Sequence, residues 1–94
     1  MTYTLFSDQT ANGNSDTITF PGGTGTVFVK GTFDGATIAL QVADQEDNTY
    51  VALADGSFTD VSAKAITLGK HTKLRANLSS AGGSTSITVT VQKG

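Results

Sequence analysis

The chain has 94 residues, 15% of them charged, with a formal net charge of −2 and a pI of about 4.9. It has one histidine and no cysteine, which excludes disulfides, thiolate metal sites and cysteine nucleophiles. No apolar run approaches the ~20 residues of a membrane helix, and Met1 to Asp8 lack the regions of a secretory signal, so the expectation is a complete, soluble product made in a cytoplasm.

The apolar pattern has period two along almost the whole chain. Thr2 to Phe6 reads as a first strand. Asn12-Gly13-Asn14 is a turn signal, and Asp16 to Phe20 is a second strand that ends at Pro21-Gly22-Gly23. Thr26 to Thr32 is a third, with Gly31 marking a bulge or a close backbone approach. Asp34-Gly35 predicts a hairpin into Ala36 to Val42. An acidic loop, Ala43 to Asn48, leads to Thr49 to Ala54 and a second Asp-Gly turn at Asp55-Gly56. Ala63 to Leu68, Lys73 to Ser79 and Thr85 to Gln92 complete the set. Turns at Gly69 to Thr72 and at Ser80 to Ser84 separate them. Sixteen threonines suit such half-exposed pleated surfaces.

The fold class is therefore all-β, a single β-sandwich domain over residues 1–94 with about eight antiparallel strands. Its connections are expected to be Greek-key, of immunoglobulin-like or jelly-roll type. The expected core is Leu5, Ile18, Phe20, Val27, Val29, Ile38, Leu40, Val51, Leu53, Ile66, Leu74, Leu78, Ile87, Val89 and Val91. A domain this small buries only about 60–65% of its unfolded surface. Lacking disulfides, it is a candidate for oligomerisation or for docking on a larger assembly.

No residue pattern points to catalysis, a metal or a cofactor. His71 falls at a turn between lysines, and no Gly-x-Ser-x-Gly elbow accompanies it. Asp44, Glu46, Asp47 and Asn48 carry oxygens in a loop but lack the EF-hand pattern. They read as a solvated acidic loop, with a weak calcium site as the lesser alternative. Gly22 to Gly25 opens a strand and carries no lysine, unlike a phosphate loop. Asn77-Leu78-Ser79 is an incidental glycosylation sequon.

Charge is split along the chain. The first sixty residues hold all eight acids and only Lys30, a net of −7, whereas the rest hold five bases and no acid. Lys70, Lys73 and Arg75 form the best contact surface, with Lys73 and Arg75 on one solvent face. The competing reading is that the fold sets late bases beside early acids and balances them internally. No stacking aromatics accompany the bases, against nucleic acid.

The run Gly25 to Gln41, with Gly31-Thr32-Phe33 meeting Gly35-Ala36-Thr37, resembles a motif of small virion proteins of tailed bacteriophages. Asp55 to Asp60, Leu74-Arg75-Ala76 and Ser86 to Val91 extend the likeness. The resemblance implies a capsid decoration or cement protein, not an enzyme, on the outer surface of the major capsid protein shell. The implied setting is the virion, assembled in the host cytoplasm. The implied partners are the major capsid protein and further copies, a trimer being favoured, with no nucleic acid, membrane, metal or cofactor. The interface is expected, from charge and position, at Lys70, Lys73 and Arg75 and in a mobile N-terminal arm, Met1 to Phe6, chiefly Thr2, Tyr3 and Phe6. The alternative is a phage adhesin, head-fibre or tail-associated module that stacks host glycans on Tyr3, Tyr50, Phe33 or Phe58.

Overall fold

The computed structural model describes residues 2–93; Met1 lies outside them. Its strands are β1 (Thr2–Gln9), β2 (Gly13–Asn14), β3 (Ile18–Phe20), β4 (Gly23–Thr32), β5 (Thr37–Ala43), β6 (Val51–Phe58), β7 (Ser62–Leu68), β8 (Thr72–Ser79) and β9 (Ser86–Lys93). They form two antiparallel sheets. One has the order β1-β9-β4-β7; the other has the order β2-β8-β5-β6, with β3 also on β8.

β2 and β3 are one strand with a break. At the break the Ser15 amide donates to the Ala76 carbonyl and the Ala76 amide to Ser15 Oγ, both at 2.8 Å. The serine side chain thus replaces a missing ladder bond. Counted this way, first pairs with last (β1 with β9), second with seventh (β2/β3 with β8), third with sixth (β4 with β7) and fourth with fifth (β5 with β6). The chain is one long antiparallel ribbon rolled into two layers. That is the jelly-roll connectivity; an immunoglobulin sandwich divides its strands between the sheets differently.

Rolling the ribbon brings its apolar faces together. Phe20, Val27, Val29, Ile38, Leu40, Leu74, Ile87, Val89 and Val91 are fully buried, as their alternation predicts. Val51 departs from expectation and is 59% exposed, because it opens a strand at the sheet's edge. Leu53 and Ile18 only lean on the core from its border. The core also takes side chains that alternation left out. In β1, Thr4 and Phe6 face the successive residues Thr90 and Val89, a bulge that turns both Leu5 and Phe6 inward. Phe33, Phe58 and Leu68 are buried as well.

Only the first Asp-Gly pair has positive φ at both residues, as a type I′ turn needs, and it does not make the expected hairpin; the second has it at Asp55 but not at Gly56. Asp34 and Gly35 both have positive φ (47° and 85°), and the Ala36 amide donates to the Phe33 carbonyl at 2.9 Å. This tight turn leads from β4 in one sheet to β5 in the other. Asp55 also has positive φ, 58°, but the chain does not reverse there. Ala52 and Ser57 pair with Gln41 and Ala39, so Leu53 to Gly56 form a bulge opposite Leu40. Gly56 fits because a Cβ there would lie 3.1 Å from the Leu40 Cβ.

Candidate functional site

Strand β8 lies inside its sheet, between β2/β3 and β5. Its alternation sends Leu74, Ala76 and Leu78 into the core and Lys73, Arg75 and Asn77 outward. Lys73 and Arg75 thus share a face, as expected, but neither projects freely. Lys73 Nζ donates to the Asp47 carbonyl at 2.7 Å and to Asn48 Oδ1 at 2.8 Å. Arg75 Nε donates to Gln41 Oε1 at 2.7 Å, and its guanidinium lies 3.8 Å from the centroid of the Tyr50 ring. The Tyr50 hydroxyl in turn shares a hydrogen bond with Thr17 Oγ1 at 2.6 Å. The two bases hold the β5–β6 connection against the outer face of the sheet. The early acidic loop and the late basic strand meet here.

Lys70 stays exposed in the β7–β8 turn, with His71 beside it. The His71 backbone has φ of 68°, and its amide donates to the Phe20 carbonyl at 2.9 Å. The two turns at this end are packed closely: a Cβ on Gly22 would approach the Lys70 backbone to 3.0 Å.

The acidic loop is internally organised. Asp44 Oδ1 accepts the Glu46 amide at 3.1 Å, and Asp47 Oδ1 accepts the Thr49 amide at 2.9 Å. The Thr49 amide and hydroxyl, and then the Asn48 amide, hold the Asp47 carboxyl below the usual carboxylate range; Lys73 adds a smaller pull. These carboxylates brace a turn. Among the described residues, no three His, Asp or Glu side chains gather as a metal-holding cluster. Between the loop and the sheet lies an open cleft of about 420 Å³, walled by Val42, Val51, Thr49 and Thr72 with Asp44 and Asp47.

The N-terminal segment is a paired strand and not a loose arm. Thr2 is exposed opposite Gln92, and Tyr3 faces the core opposite Val91. Phe6 is only 4% exposed, so the bulge that buries it removes it from any contact surface. Phe33 and Phe58 are each 7% exposed and offer no stacking platform. Tyr50 has its ring face against Arg75.

Alternation did not reveal two surfaces. One is the outer face of the four-stranded sheet, where Thr4, Thr90, Phe28 and Ala63 share a cross-strand row and Thr24 and Thr67 share a hydrogen bond at 3.3 Å. The other is the run Val51-Ala52-Leu53-Ala54 in β6. Its signal was present: four apolar residues without a polar one between them break the period-two pattern. Comparison of the chain with known protein families, with curated proteins and with solved structures finds no match.

Proposed function

We propose that this domain is a structural virion protein, a decoration or cement protein that binds the outer surface of a major capsid protein shell and stabilises the head. The observation that carries the reading is how the polar groups are used. Lys73, Arg75, Asp47, Tyr50 and Thr17 tie the chain to itself, which suits a rigid block that binds and does not react. The hydroxyl-rich, charge-poor face of the four-stranded sheet offers a pre-organised contact area of the kind such a block uses. The virion motifs around Gly25 to Gln41 supply the direction. Binding to a shell would add stability to a small core by mass action. The adhesin reading has lost Phe33 and Phe58, two of its four aromatic platforms, to the core.

The test is cryo-electron microscopy of the particle, together with re-addition of purified domain to heads that lack it. Density for the domain at repeated sites on the head lattice, and heads that survive heating better with it, are expected. Absence from the lattice overturns the reading. Lys70→Glu tests the basic end, since Lys70 is exposed. Occupancy that falls more at low salt than at high salt assigns that end to the contact.

A further inference from the structure

The four sheet edges differ in how well a further strand could pair with them. Strand β1 carries two register shifts, β2/β3 is broken and short, and Leu53 to Gly56 bulge out of β6. Such irregularities discourage pairing with another chain. Strand β7 has none of them. It ends its sheet and pairs with β4 through seven consecutive residues, from Gly23 opposite Leu68 to Val29 opposite Ser62, without a shift. Among the described residues, no turn or loop covers Ser62 to Leu68 with a main-chain hydrogen bond. The outward side chains Ala63, Ala65 and Thr67 are small and exposed, so a strand can come alongside. The guard on this edge is Lys64. It is half-buried on the core side, in line with Ile66 and Leu68, and among the described residues no hydrogen bond or ion pair holds its ammonium. Asp60, just before the strand, is turned instead to the Val61 amide at 2.8 Å.

We propose that β7, from Ser62 to Leu68, is a strand-addition site for an extended segment of a partner protein that places an aspartate or glutamate opposite Lys64 and apolar residues opposite Ile66 and Leu68. The free side of an edge strand offers main-chain N–H and C=O groups for affinity, and the alternate side chains supply specificity. Specificity is built from a repulsive element as well as an attractive one, and Lys64 supplies both. An apolar or basic strand laid over its ammonium would strip it of water and give it no partner. A carboxylate at that position pairs with it. A second copy of this chain is a poor occupant, because a two-fold pairing of β7 with itself sets the two ammonium groups against each other or against Ile66 and Leu68. The inference rests on the docking reading above only for the existence of a protein partner.

The test titrates the ¹⁵N-labelled full chain at low salt with a strand-length peptide of alternating valine and threonine in which one valine is replaced by glutamate, and separately with the counterpart carrying lysine there. The glutamate peptide is expected to shift the amides of Ser62 to Leu68 saturably, and the lysine peptide to bind at least tenfold more weakly. Lys64→Glu should reverse that preference, which a mere loss of stability cannot do. Lys64→Gln should keep the native amide spectrum and bind the two peptides alike. Lys30→Glu, an equal change of charge at an exposed position of β4, should leave the preference for the glutamate peptide in place. Equal response of the wild type to both peptides, shifts confined to other strands, or a preference that survives in Lys64→Gln would each overturn the inference. Binding of the glutamate peptide by a domain that is absent from heads would leave the β7 site standing and remove only the decoration role.

Discussion

Gly31 shows what a single residue can carry in this fold. Its φ is +115°, and a Cβ there would run into the carbonyl of Ser86 on the neighbouring strand. Gly31→Ala should therefore cost at least about 1–3 kcal/mol from backbone strain alone, read as a lower urea midpoint with an unchanged slope. Thr85 is the buried polar residue of the described chain, 3% exposed. Its hydroxyl donates to the Phe33 carbonyl and accepts the Gly82 amide, both at 2.8 Å. Thr85→Val should cost about 1–3 kcal/mol by stranding those groups, and Thr85→Ser should recover most of it. Asp47 has a lowered folded pKa. A group of that sign adds stability above its unfolded pKa and loses it as pH falls through the folded value. An NMR titration of the Asp47 carboxyl should give a midpoint below that of an unfolded reference peptide. A midpoint at or above the reference would mean that the Thr49 bonds do not persist in solution.

Among the elements, the edge strands are the ones that leave main-chain groups unpaired on one side of each sheet. Lys64 lies half-buried on β7, paired with Val27 on the core side. Keeping an ammonium there is of little use to a hydrophobic core, but it deters a second strand from pairing along the edge. Lys64→Val should make the domain self-associate, visible by light scattering at concentrations where wild type is monodisperse. A strictly monomeric variant would show that the lysine has no gatekeeping part. The Asp-Gly pairs teach a related lesson. Residue type predicts positive φ at Asp34, Gly35, Asp55 and Gly56, and positive φ is found at the first three but not at Gly56. Whether such a turn reverses the chain, crosses between sheets or bulges a strand depends on the strand that lies alongside.

Across the whole molecule the nested pairing sets the folding problem. The first strand pairs with the last, Thr2 opposite Gln92, so the loop-closure cost must be met before that pair forms. The domain should fold in roughly milliseconds to seconds, in the range of all-β domains with non-local contacts, measured by stopped-flow fluorescence of its tyrosines. Microsecond folding would contradict the ribbon topology.

The amino-acid sequence by itself determined the all-β class, the approximate strand positions and most of the core, because alternation and turn chemistry are local properties of neighbouring residues. It also contained the apolar run of β6 and the split of acids and bases. Only the tertiary structure decided that Phe6, Phe33 and Phe58 belong to the core, that Val51 does not, and that Lys73 and Arg75 spend their polar groups on the Asp47–Tyr50 segment. Those outcomes depend on which distant strand lies opposite. That pairing is selected by burying two apolar faces together, a condition that no short stretch of the chain contains.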